Sequence, residues 1–165
     1  MSNAAYYSLL NNGELTGDVI GAVVATPTNN LTGATTCNRD VHAGRMNVIN
    51  AAAGCAITLP NATGTGSVYR FMIGTTITSN STTIKVNNAT DVMSGRAYVI
   101  SDNSAAVLGY ATAASSDTIT FDGTTTGGYA GDIVEITDAI AGTFLVEVHT
   151  KATGTEATPF SATVS

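Results

Sequence analysis

The stretch GCAITLPNATGTGSVYRFMIG, residues 54–74, decides the fold class. Cys55, Ile57 and Leu59 alternate with Ala56 and Thr58. Tyr69, Phe71 and Ile73 alternate with Val68, Arg70 and Met72. A period of two puts one set of side chains on a buried face and the other on an outward face, which is the pattern of a strand. Pro60, Asn61, Gly64 and Gly66 lie between the two runs and mark a turn, so the segment reads strand, turn, strand.

The same pattern continues through the C-terminal three-quarters of the chain. Candidate strands are 46–50, 55–59, 67–74, 82–87, 96–101, 106–112, 117–121, 132–137 and 143–150. In GTFLVEVHT, Phe144, Val146 and Val148 are expected inside, with Leu145, Glu147 and His149 outside. In DTITFDG, Ile119 and Phe121 are expected inside, with Thr118 and Thr120 outside. Turn residues separate the runs at Asn61–Gly66, Asn87-Asn88, Asp102-Asn103, Asp122-Gly123, Gly127-Gly128 and Gly142. Short strands at this spacing, without helical periodicity, predict an all-β domain, an antiparallel β-sandwich of jelly-roll-like type.

Residues 1–44 differ, being rich in Asn, Gly and Thr around one apolar stretch, Val19–Ala25. They are expected to form an extended N-terminal arm, with one strand at 18–26, a loop past Pro27 and a turn of helix near Tyr6–Leu10. The competing reading folds the segment back as the first strands of the domain. The division is therefore 1–44 for the arm and 45–165 for the sandwich. Tyr6, Tyr7, Leu9 and Leu10 form the apolar group of the arm and are its candidate partner-binding residues.

Composition narrows the function. Of 165 residues, 44% are hydrophobic, enough for a core, and only 11% are charged, well under the roughly 25% of an ordinary domain. Thr, Ser and Asn supply the polar surface instead. The net charge is −6 and the six basic residues are scattered, which argues against a nucleic-acid partner. No apolar run reaches the ~18 residues of a membrane span. The N-terminus lacks the basic start and apolar core of a signal peptide. Four N-x-S/T triplets, at Asn30, Asn61, Asn80 and Asn88, are what an Asn- and Thr-rich chain contains by chance.

Reactive groups are sparse. Cys37 and Cys55 are outside any CxxC pattern and read as reduced thiols. His42 and His149 each stand alone in sequence. The acids Asp117 and Asp122, and Asp132, Glu135 and Asp138, flank strands, where Asp is favoured by turn chemistry. A glycosidase-like carboxylate pair or a calcium site would need them brought together by folding. No enzyme motif is present, so the expectation is a protein with no catalytic residue, no metal and no cofactor.

AITLPNATGTGSVYRFMIGTTITSNSTTIKV, NATDVMSGRAYVISD, SDTITFDGTTTGGYAGDIVEITD and KATGTEATPFSA together resemble a domain that recurs in virion structural proteins of tailed bacteriophages, particularly marine ones. The resemblance covers about residues 46–162. It implies a non-enzymatic virion protein and carries no catalytic residues. The expected role is a capsid decoration (cement) protein on the head surface, assembled in the host cytoplasm. It would bind the major capsid protein, bridge neighbouring capsid subunits through the arm, and associate as a homotrimer. The alternative is a tail- or head-fibre component binding a host-surface receptor, with Tyr98, Tyr110 or Tyr129 stacking on sugar rings. A depolymerase using two of the acids is the third reading.

Overall fold

A computed structural model describes residues 28–164. The described residues are nearly all β, with one short helical turn among them. The strands are β1 (Asn29–Leu31), β2 (Thr35–Thr36), β3 (Met46–Ile49), β4 (Ala56–Thr58), β5 (Val68–Ile73) and β6 (Thr82–Lys85). They continue as β7 (Val92–Ser101), β8 (Val107–Ala111), β9 (Thr118–Phe121), β10 (Ile133–Ile140), β11 (Thr143–Ala152) and β12 (Phe160–Ser161). The helical turn α1 (Arg39–His42) falls in the NRDVHAG segment and is capped by Asn38, whose side chain accepts from the Asp40 amide at 2.8 Å.

Two sheets form, ordered β1-β3-β5-β10-β11-β7-β8 and β12-β9-β6-β4-β2. Both are mixed rather than purely antiparallel. The first six strands alternate between the sheets, odd strands in the larger and even strands in the smaller. Within each sheet these neighbours run parallel: β1, β3 and β5 in one, β2, β4 and β6 in the other. Parallel neighbours need a crossover between them, and here each crossover is a strand of the opposite sheet. The 54–74 stretch is therefore no hairpin. Its first strand, β4, lies in one sheet and its second, β5, in the other, and the Pro60–Gly66 turn carries the chain from layer to layer.

Aligned rungs stack like residues. Leu31, Ile49 and Ile73 are register partners, and Ile57 sits beside Ile84. All five are buried. An amide continues the stack: Asn47 is fully buried, accepts from Asn29 Nδ2 at 2.8 Å, and donates to the carbonyls of His42 at 3.0 Å and Arg70 at 2.9 Å. Its hydrogen-bonding capacity is met, so an interior Asn is tolerated.

After β6 the pairing changes to local antiparallel units, β7 with β8 and β10 with β11, while β11 and β7 lie side by side in parallel. Tyr69, Phe71, Phe121 and Phe144 are the largest fully buried side chains. Each stabilises the fold by roughly 1.5–3 kcal/mol through burial. The alternation in β11 matches expectation: Phe144, Val146 and Val148 are buried, and Leu145, Glu147 and His149 exposed. In β9 one position differs. Thr118, expected outside, is buried, because its hydroxyl meets the Asp117 carboxylate at 2.7 Å and Thr163 of the C-terminal segment at 2.6 Å.

Residues 29–44, within the segment assigned to the arm, contribute β1, β2 and α1, and their strands pair with β3 and β4. The strand expected at 18–26 and the helical turn near Tyr6–Leu10 lie outside the described residues.

Candidate functional site

The candidate partner-binding residues Tyr6, Tyr7, Leu9 and Leu10 also lie outside the described residues. The described surface with the most chemistry is the outer face of the seven-stranded sheet. Alternation turns Arg70 of β5, Glu135 of β10, Glu147 of β11 and Arg96 of β7 outward, and register aligns them on four adjacent strands. The result is a row of charges in the order plus, minus, minus, plus. Like charges on directly opposed strands destabilise a sheet, but both carboxylates here have partners. Arg70 Nε donates to Glu135 at 2.7 Å, and His149 Nε2 lies 3.0 Å from Glu147. Arg96 flanks Glu147 from the next strand and forms no ion pair among the described residues.

A second row lies beside the first: Met72, Ile133, His149, Tyr98 and Gly109 are successive register partners across β5, β10, β11, β7 and β8. The Tyr98 and His149 rings meet with centroids 5.2 Å apart at a tilt of 35°. Beyond them, Ile100 and Val107 are opposed on β7 and β8 and are 55% and 60% exposed. Three shallow clefts, of about 230, 470 and 280 Å³, adjoin one another on this face, sharing His149, Tyr98, Glu135 and Glu147 in their walls.

The other two tyrosines are committed elsewhere. The Tyr110 hydroxyl donates to the Glu156 carbonyl at 2.8 Å and its ring packs on the core. Tyr129 has the Lys151 ammonium 5.3 Å from its ring centre and its hydroxyl 3.1 Å from that of Thr153. The structure does not bring the three tyrosines together.

The acids of the turns are engaged by backbone donors. Asp132 accepts from the amides of Gly128, Tyr129 and Lys151, and from the Thr150 hydroxyl. Asp117 accepts from the Thr163 and Val164 amides. Burial opposes ionisation of Asp122, yet the Thr125 hydroxyl and the Thr126 and Thr124 amides outweigh it and hold the carboxyl well below its usual range. The same balance acts at Asp138, where donors from residues 63–65 prevail over burial. Glu135 alone of these five lies on the outer face, beside Glu147. Among the described residues no group of His, Cys, Asp and Glu is arranged to hold a metal ion.

The remaining candidates are separate. His42 is buried against its own helical turn, with Nδ1 3.0 Å from the Asn38 amide. Cys37 is buried and Cys55 half-buried, and both are free thiols. Burial pushes the Cys37 thiol up to about 12.

The role of Arg70, Arg96 and Glu147 in one row was not legible in the sequence. Each sits at an outward position of an alternating strand, but only the register across four strands shows that they align. No family model, no curated protein and no solved structure matches the chain. Among the described residues no helix is long and apolar enough to cross a membrane.

Proposed function

We propose that the protein is a non-enzymatic structural component of a phage particle, a capsid decoration protein that binds the outside of the head and bridges neighbouring capsid subunits. The observation that carries this reading is the N-terminal end of the domain. There β1 and β2 close both sheets as short edge strands, each with one backbone edge unpaired among the described residues. Residues 1–27 join the domain at that end. An open strand edge is a template for an added strand from another chain. An arm leading from it, anchored by Tyr6, Tyr7, Leu9 and Leu10, ties the domain to a second subunit. Tyrosine anchors bury a large area at small entropic cost. A homotrimer covers exposed edges by the same means. The low proportion of charged residues, 11%, suits dense packing of identical copies, which would otherwise repel one another.

A second reading, a tail- or head-fibre recognition module, is favoured by the outer face of the seven-stranded sheet, with Tyr98 between charged and apolar rows. Quantitative mass spectrometry of purified particles separates the two. A copy number comparable to that of the major capsid protein is expected. A few to a few dozen copies would transfer the chain to a fibre, and absence from the particle would overturn both readings.

A further inference from the structure

We propose that the outer face of the seven-stranded sheet binds a neutral saccharide chain, with Tyr98 as the stacking platform and the Arg70–Glu135–Glu147–Arg96 row as the hydrogen-bonding strip. The inference rests on the same face as the recognition reading above and deepens it, and it holds wherever the domain sits on a particle.

Three observations lead to it. First, the row is electrically balanced, two guanidiniums against two carboxylates on adjacent strands. It has no net attraction for a phosphate, a polyanion or a polycation, but it offers fixed donors and acceptors side by side. Vicinal hydroxyls, each both donor and acceptor, match such an array. Glu135 and Glu147 are held by Arg70 and His149, so little side-chain freedom is lost on binding. Four strands at their ordinary spacing span about 15 Å, the length of a short oligosaccharide.

Second, the ring of Tyr98 adjoins that of His149 to make an aromatic ledge along the row. The strand position beside Tyr98 is Gly109, and a Cβ built there would meet nothing within 4 Å. The flank of the ledge is therefore open, as the C–H face of a sugar ring requires. The cleft there, about 470 Å³, is lined by Tyr98, His149, Ile100 and Val107 together with one acid and one base, Asp132 and Lys151, an apolar wall with a few convergent polar groups.

Third, the charge order disfavours a second copy on the same face. A two-fold axis centred on the row and lying along it or straight across it sets Arg against Arg and Glu against Glu. Isologous pairing is the commonest way to cover such a face, and with the rows aligned it is repulsive.

The test is affinity electrophoresis of the full chain through gels containing dextran, mannan or laminarin, with alginate as the anionic comparison. At least one neutral polysaccharide is expected to retard the protein, and added salt to leave the retardation unchanged. Tyr98→Ala and Gly109→Leu should weaken it at least tenfold, while Tyr110→Phe, off the face, leaves it intact. Circular dichroism melting of each variant separates lost binding from lost fold. Failure of all three neutral polymers to retard the protein would overturn the proposal. So would unchanged retardation of Tyr98→Ala, or retardation by alginate alone. Sedimentation supplies the last check: an oligomer that dissociates on Tyr98→Ala would give the face to a second copy instead.

Discussion

The carboxylate of Asp138 accepts the hydroxyl of Thr65 at 2.7 Å across 73 residues of sequence. The same side chain accepts from the backbone amides of Thr63, Gly64 and Thr65 at 2.9, 2.7 and 3.1 Å. One residue near the end of β10 thus fixes the turn that carries the chain from β4 to β5, the passage between the two sheets. Asp138→Ala leaves those amides without their acceptor. Loss of a charged acceptor from several shielded donors costs about 2 kcal/mol. The melting temperature is then expected to fall by about 4–8 °C. Calorimetry checks this, and an unchanged melting temperature would remove the latch from the account.

Acid should loosen the fold by a related route. Asp122 and Asp138 both ionise more readily in the folded chain than in the unfolded one, since hydrogen bonds to the carboxylates outweigh burial. The unfolded chain therefore binds more protons in the acid range, and stability rises with pH there. Their contribution is complete above the usual Asp range near pH 4. It falls away as the pH drops through the lower folded-state values. Melting curves from pH 7 to pH 2 should show a plateau and then a decline. The decline should be shallower in the double variant Asp122→Asn, Asp138→Asn.

Gly95 stands where β7 and β11 run side by side, opposite Val146. A Cβ at this position would collide with the carbonyl oxygen of Val146. The Gly95 amide also receives the Thr112 hydroxyl oxygen as its acceptor at 3.0 Å. Gly95→Ala must push the two long strands apart, at a cost of about 3 kcal/mol. Gly109→Ala on neighbouring β8, with open space at its Cβ, should be nearly neutral. Urea denaturation of the pair reads the difference directly, and equal midpoints would contradict the close approach.

The two thiols should differ in reactivity. At pH 8 a group with a pKa near 12 is thiolate in only about one molecule in ten thousand, and the thiolate is the reacting form. Cys37 is moreover buried, whereas Cys55 is only half-buried. Burial raises the Cys55 thiol too, with a hydrogen bond to Thr82 acting against it. Iodoacetamide under native conditions should therefore label Cys55 first and slowly, and Cys37 only after unfolding. Peptide mapping over time distinguishes the sites.

Local pattern revealed strands well and partners poorly. Ile57, Leu59, Tyr69, Phe71 and Ile73 are all buried, as their alternation requires. Alternation carries no information about which strand lies beside which, so β4 and β5 read as adjacent although they belong to different sheets. β1, β2 and β12 escaped notice because they are two or three residues long, too short to show alternation, and β2 is wholly polar. Their existence depends on neighbours already in place. The buried Thr118 was hidden for a similar reason: the segment covering it lies 45 residues further on. The outer face was legible in part: alternation turned Arg70 and Glu147 outward, whereas Glu135 read as a strand-flanking acid and Arg96 as one scattered base. Their assembly into a row needed three registers that no local window contains.

The proposed N-terminal arm provides the most direct experiment on the decoration reading. The described domain begins with β1 at Asn29, and its two sheets, core and turns are built from residues beyond that point. Deleting residues 2–12 removes Tyr6, Tyr7, Leu9 and Leu10 and leaves every residue of the described strands in place. The shortened protein should therefore melt within a degree or two of the full chain, yet fail to bind purified capsids in a co-sedimentation assay. Replacing the four residues by Ala in the full-length chain should have the same effect, which separates anchoring side chains from mere length of arm. If the shortened protein binds as before, attachment resides in the folded domain. The open edges of β1 and β2 would then be the next surface to block, and a proline in β1 at Asn30 is the substitution that would do so.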